Sequence, residues 1–139
     1  MVTLYVLALL CKDHEIVLLR RHNATFGNGM YSIPGGKVEE NEPALHAIKR
    51  EVQEETALVL PESAFTLMHT IHRKGTESNF IALCFKADIA GMQPRNHEPE
   101  KHDDLQLVPL NQLPANILPA HKQIIENIQK GIAYSEHGF

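Results

Sequence analysis

The sequence predicts a mixed α/β fold formed by one domain over residues 1–139. Three observations predict it. A chain of 139 residues with 43% hydrophobic and 22% charged residues has enough apolar material for one sizeable core and too much for a disordered chain. Short β-rich apolar runs are separated by turn residues. Two longer segments repeat their apolar residues at the helical period instead.

Residues 3–10 are apolar and β-rich and read as a buried strand. Asp13 and His14 make a turn, and residues 15–20 return as the second arm of a hairpin. Residues 21–30 contain Asn23, Gly27, Asn28 and Gly29 and read as a loop. A short extended piece at 31–34 runs into Gly35 and Gly36, and residues 37–40 form one more short strand. Either Asn41 or Glu42 caps the helix that follows, with Pro43 tolerated in its first turn. On a wheel over residues 44–58, Leu45, Ile48 and Val52 fall on the core stripe. Glu51, Glu54 and Glu55 fall beside it with Ala44, Ala47 and Leu58, while His46, Lys49 and Gln53 face solvent. Residues 64–72 and 79–87 read as strands joined by a turn around Lys74, Gly75 and Thr76. Residues 90–104 are polar and aperiodic, a loop long enough to suggest a function. A short strand at 105–109 precedes an amphipathic helix at 119–131, with Ile124, Ile125 and Ile128 inward. The tail, 132–139, has no assignment.

Composition narrows the function classes. A net charge of −4 argues against a general nucleic-acid or anionic-membrane surface. No apolar run approaches the ~20 residues of a membrane span. The only charge flanking the apolar run at 4–11 is Lys12, which follows it, the reverse of a signal peptide. Cys11 and Cys84 lie in apolar stretches, as buried thiols of a reducing compartment do, so a cytoplasmic location is expected. The nine histidines are scattered, with no zinc-site spacing to the cysteines. His69 and His72 are candidates to line a pocket from a strand, although satisfied or solvated histidines are the simpler reading.

The three glutamates on one helix face are the chemical signal. Like charges one turn apart cost a few tenths of a kcal/mol even on an exposed helix. A solvated acidic face is the bland reading. Three neighbours favour a site instead. Ala44 and Ala47 allow another segment to approach the same face. Arg50 can orient a carboxylate through a charge-assisted hydrogen bond. Gly35 and Gly36 permit backbone paths that bring the loop against the helix or against a phosphate. Several carboxylate oxygens beside a phosphate are the surroundings of Mg²⁺.

The spacing of these residues resembles the Nudix box, G-x5-E-x7-R-E-U-x-E-E-x-G-U, where U is a bulky aliphatic residue. Gly36, Glu42, Arg50, Glu51, Val52, Glu54, Glu55 and Leu58 match, and Ala57 stands where the box has glycine. A helical or nearly helical backbone at Ala57 would make that departure mild. The resemblance implies an α/β/α sandwich around a mixed sheet. It also implies hydrolysis of a nucleoside diphosphate linked to another moiety, with Mg²⁺ or Mn²⁺. Carried over by position, Glu51, Glu54 and Glu55 are the metal ligands. Arg50 orients the catalytic carboxylates, Glu42 pairs with it, and Gly35 and Gly36 form the substrate-side loop.

The loop Pro94-Arg95-Asn96-His97-Glu98-Pro99-Glu100-Lys101, continuing to Val108-Pro109 and Leu113-Pro114, resembles a stretch of the MutT-like nucleoside triphosphate diphosphatase branch. Members of that branch can also have alanine at the position of Ala57. In the family the general base is a glutamate of the box in some members and of a later loop in others. The resemblance therefore leaves Glu51 or Glu54 as the catalytic carboxylate, or makes Glu98 or Glu100 a further metal ligand or the base, with Lys101 holding a phosphate or anchoring Glu98. The leading expectation is Mg²⁺-dependent conversion of a (d)NTP to NMP and pyrophosphate. The alternatives are an ADP-ribose, nucleotide-sugar or dinucleoside polyphosphate pyrophosphohydrolase, or a non-catalytic nucleotide-binding module. The loop at 22–30, with Phe26, is expected to shape the base pocket. A homodimer is expected only because relatives often pair.

Overall fold

The computed structural model describes residues 1–139. It contains eight strands and two helices: β1 (Thr3–Lys12), β2 (Glu15–Arg21), β3 (Tyr31–Ser32), β4 (Gly35–Lys37), α1 (Ala44–Thr56), β5 (Thr66–Arg73), β6 (Phe80–Asp88), β7 (His102–Pro109), α2 (Pro119–Gln129) and β8 (Tyr134–His137). All eight strands join one mixed sheet in the order β3-β2-β1-β6-β5-β8, with β4 added to β1 and β7 to β2. No helix is long and apolar enough to cross a membrane.

β1 organises the sheet. It runs parallel to β6 from Thr3↔Phe80 to Cys11↔Asp88. Its other edge is divided. β2 pairs with it only at the hairpin end, Cys11↔Ile16 and Lys12↔Glu15, whereas β4 pairs at Tyr5↔Lys37, Val6↔Gly36 and Leu7↔Gly35. β2 turns instead to β7, antiparallel from Glu15↔Pro109 to Arg21↔His102. The sheet therefore opens between β1 and β2, and the functional cavities lie around that opening.

Alternation along β1 makes two cores. Val6, Ala8 and Leu10 pack under α1 with Ile48 and Val52. Leu9 and Cys11 face the other side, with Ile124, Ile125 and Ile128 of α2. This is the expected α/β/α sandwich, and the inner face of α2 is the expected one. Cys11 and Cys84 are buried and unpaired in a disulfide.

Several local expectations are corrected. Leu45 is 39% exposed, and the buried stripe of α1 runs through Ala47, Ile48, Val52 and Thr56. The small Ala47 takes the inner position because β4 comes up against the helix. Neither Asn41 nor Glu42 caps α1. Pro43 occupies that place without a side-chain bond, since the Glu42 carboxylate is committed to Arg50. Gly35 and Gly36 lie in a strand rather than a loop, and that strand ends at Lys37. A 3₁₀ turn at Glu62–Ala64 delays β5, and β7 begins three residues before the expected 105. The unassigned tail supplies β8, parallel to β5 from Thr70↔Tyr134 to Arg73↔His137. His69 anchors it: Nδ1 lies 2.7 Å from the Ile132 carbonyl and Nε2 2.8 Å from Ser135 Oγ. His69 is thus a satisfied structural histidine, and His72 packs on Phe139 with ring centroids 4.8 Å apart, so neither lines the cavities described below.

Ala57 ends α1 with φ 63°, its N–H donating to the Gln53 carbonyl at 3.0 Å. This is the left-handed conformation that favours glycine. The conformation is not helical, so alanine here costs about 1 kcal/mol rather than nothing.

Candidate active site

Arg50 sets the geometry of the helix carboxylates. Its Nε donates to Glu42 Oε2 at 2.7 Å and its Nη2 to Glu42 Oε1 at 3.0 Å, a two-pronged pair. Nη1 donates to Glu51 Oε1 at 2.9 Å and reaches Glu54 Oε2 at 3.3 Å. Glu42 also accepts the Glu39 backbone N–H at 3.0 Å. These bonds, the Arg50 one foremost, hold the Glu42 carboxyl down at about 2, and the same pairing raises the Arg50 pKa. Arg50 is therefore a positioning residue. It borders the outer face with His46, Lys49, Gln53, Glu54 and His97, not the inner cavity.

Glu55 points the other way. It is buried, and its carboxyl accepts only a long hydrogen bond, from the Gly35 N–H at 3.4 Å. Burial pushes its carboxyl well above the usual carboxylate range, and repulsion from Glu51 and Glu98 pushes it further. The sequence element that places it is β4. A Cβ on Gly36 would push the Glu51 carboxyl aside, so glycine here leaves that carboxyl its place on α1.

Glu98 reaches the same place from the loop. The His97 N–H donates to the Glu55 carbonyl at 3.0 Å and the Arg95 N–H to the Thr56 carbonyl at 3.0 Å, which pins the loop on the exposed end of α1. Asn96 closes it: Nδ2 donates to the His102 carbonyl at 2.7 Å and Oδ1 accepts the Glu98 N–H at 3.3 Å. Lys101 Nζ lies 3.4 Å from Glu98 Oε2, and that carboxylate raises the Lys101 pKa. The result is a polar cavity of about 490 Å³ whose walls include Glu51, Glu55, Glu98, Lys101, Gly35 and Gly36. Glu100 is exposed and does not line it. Glu54 is also outside it, 47% exposed on the Arg50 side.

No three acidic or imidazole groups converge as a preformed ligand cluster. The residues nevertheless fit a divalent cation. The donors are hard carboxylate oxygens on one cavity, and Glu55 is a buried carboxylate that no cation of the chain approaches within salt-bridge distance. An isolated buried carboxylate is costly until a counter-charge arrives.

A second cavity, of about 330 Å³, continues from the first through shared walls at Arg21, Gly35, Gly36 and His102. It is lined by Tyr5, Phe26 and Phe80 and ends at Arg73 and His121. Phe26 is thus on a cavity wall, in the loop expected to shape a base pocket. Its ring lies under the Arg21 guanidinium at 4.7 Å. His121 is buried, and its Nδ1 accepts the Ile33 N–H at 3.0 Å. Burial, helped by Arg73 and Arg21, brings its pKa down to about 3. His102 Nδ1 is buried without a partner, and burial lowers the pKa of that ring too. The sequence reading missed Arg21, Arg73, His102 and His121. Each sits near the end of a different element, and no local spacing connects them. The one signal available was the position of Arg21, directly after an apolar strand and before the loop.

Comparison with known proteins gives the class. The NUDIX domain model matches residues 1–128, so the chain belongs to the Nudix family and is a hydrolase of phosphoric anhydrides. It is 32% identical over 130 residues to an 8-oxo-dGTP diphosphatase from Buchnera aphidicola subsp. Schizaphis graminum, covering 93% of this chain and 95% of that one. It is 28% identical over 119 residues to an ADP-ribose pyrophosphatase from Methanocaldococcus jannaschii, covering 86% of this chain and 68% of that one. Among solved structures, a MutT NUDIX hydrolase from Burkholderia pseudomallei superposes with a TM-score of 0.82 at 27% identity, covering 91% of this chain and 97% of that one.

Proposed function

We propose that this Nudix hydrolase is a Mg²⁺-dependent nucleoside triphosphate diphosphatase that releases a nucleoside monophosphate and pyrophosphate. The observation that carries the reading is the continuity of the two cavities. A carboxylate-lined chamber suited to a metal-bound polyphosphate opens directly into an aromatic-walled chamber suited to a nucleoside. The similarity to the Buchnera diphosphatase over nearly the full length of both chains supports the same reading.

Glu51, Glu55 and Glu98 would hold Mg²⁺, or Mn²⁺ in its place. Glu54 joins them from the solvent side, because it shares Arg50 Nη1 with Glu51. The ion, when bound, supplies charge neutralisation at the phosphate oxygens and a more acidic water. Glu98, brought to the chamber by the loop that precedes β7, takes the proton from the attacking water. Lys101 and Arg21 face the polyphosphate as the fixed cations of the walls. Arg50 keeps Glu51 in place without meeting substrate.

A phosphate-release screen with product identification tests the proposal. Turnover of nucleoside triphosphates to NMP and pyrophosphate is expected. A preference for ADP-ribose, a nucleotide sugar or a dinucleoside polyphosphate would replace the substrate and keep the site. The similarity to the archaeal ADP-ribose pyrophosphatase favours that second reading. Tight nucleotide binding without hydrolysis in saturating Mg²⁺ would mark a binding module, a reading that the intact Glu51, Glu54 and Glu55 disfavour.

A further inference from the structure

Two side chains of the inner cavity, Arg73 and His121, offer donors that the chain itself leaves unpaired. The side chain of Arg73, at the end of β5, makes no hydrogen bond or ion pair within the chain; its Nε is buried without a partner, and its guanidinium stacks 4.8 Å above the Phe80 ring. Burial lowers the Arg73 pKa, and a guanidinium in a protein keeps its charge. His121 is the other end wall. Its Nδ1 is occupied by the Ile33 N–H, so the neutral ring has its proton on Nε2 and is a donor at its remaining atom. The Tyr5–Phe80 pair, with ring centroids 5.1 Å apart, and Phe26 provide flat apolar walls. The only carboxylate on this cavity is Glu55, at the mouth it shares with the metal chamber.

A buried donor without an acceptor costs free energy until a ligand supplies one. We propose that Arg73 and His121 Nε2–H read a carbonyl oxygen on the nucleobase, so that the pocket selects keto bases over their amino counterparts. At the inner edge a 6-keto purine or 4-keto pyrimidine offers an acceptor. A 6-amino purine or 4-amino pyrimidine offers a donor there, and a donor facing a guanidinium leaves both unpaired. The proposal rests on the reading of this cavity as the nucleoside site, and it names the base class that the site takes.

The experiment is calorimetric titration of the full chain in Mg²⁺ with two matched pairs of monophosphates, IMP against AMP and UMP against CMP. Each pair differs at the keto or amino group and its adjoining ring nitrogen. The wild type is expected to bind the keto member of each pair about tenfold more tightly or better, the scale of a hydrogen bond to a charged group. Arg73→Met is expected to bring both ratios to within about twofold. Arg73→Lys, which keeps the cation and loses the planar fork, is the second variant and is expected to fall between them. Thermal melting of each variant shows that it is folded. Equal binding within both pairs, preference for the amino members, no binding by any of the four, or unchanged ratios in folded Arg73→Met overturns the proposal. Absence of nucleoside triphosphate turnover with the keto preference intact would sink the proposed reaction alone.

Discussion

The two cavities share a wall yet are built in opposite ways. The outer chamber is crowded with carboxylates that repel one another, and Arg50 restrains Glu51 from behind. The inner chamber is crowded with donors, two of them guanidinium groups with no carboxylate paired to them. Glu55 and Arg21 mark the junction, and each lies on both. The difference teaches that the site is charged for complementarity to a ligand rather than for self-sufficiency. One half gathers carboxylates in excess of their paired cations, the other ends on donors without partners, and a metal-bound nucleotide answers both.

The largest expected effect breaks the outer chamber alone. Glu55→Gln should lower kcat by about 10³-fold or more, on the scale of lost acid–base and metal function. The same change should raise the melting temperature without metal, because a buried carboxylate with no cation within salt-bridge distance is removed. A fall in both quantities would show that Glu55 is a structural residue instead. Glu54→Gln, on the exposed side, should cost about tenfold, and a loss as deep as that of Glu55→Gln would overturn the division between inner and outer glutamates.

The inner chamber should reveal itself through stability rather than rate. His121 has a folded pKa near 3, below its unfolded value of about 6.5, so the unfolded chain binds the extra proton between those values. Its contribution is then fully present above pH 6.5 and is lost as pH falls toward 3. The scale is roughly 3–5 kcal/mol over that window. Urea denaturation across pH 3–7 should show the loss, and His121→Gln, which retains an acceptor for the Ile33 N–H, should flatten it. Glu42 adds a separate acid-labile contribution. Its depressed value near 2 means that stability present above the ordinary carboxylate range is lost as pH falls toward 2, and Glu42→Gln should remove that part. The smallest effect lies between the chambers and the core. Ala57→Gly should stabilise the chain by about 0.5–1 kcal/mol by relieving a left-handed alanine, with kcat unaltered. A destabilised Ala57→Gly chain would contradict that conformation.

Much of the outer chamber was legible because its residues repeat along one helix. Glu51 and Glu55 are one turn apart, and the pairing of Arg50 with Glu42 was implied by the resemblance to the Nudix box. Glu98 was legible as a candidate beside Glu100, but choosing between them needed the loop path. The bonds from His97 to Glu55 and from Asn96 to His102 turn Glu98 inward and leave Glu100 in solvent. Leu45 misled because the helical period was anchored on a large apolar residue, whereas close approach of β4 gave the inner position to Ala47. The tail was illegible for a related reason. β8 is held by backbone pairing and by His69 rather than by an apolar pattern of its own.

The sequence by itself determined the α/β class, the glutamate face with Arg50 beside it, and the neighbouring glycines. Those properties depend on neighbours within a turn or two, where periodicity and spacing are physical distances. Only the tertiary structure decided that Arg21, Arg73, His102 and His121 surround one chamber. They lie on four separate elements, and their approach is set by where β1 leaves β2 and takes β4, a sheet-wide pairing choice that no local window of residues contains.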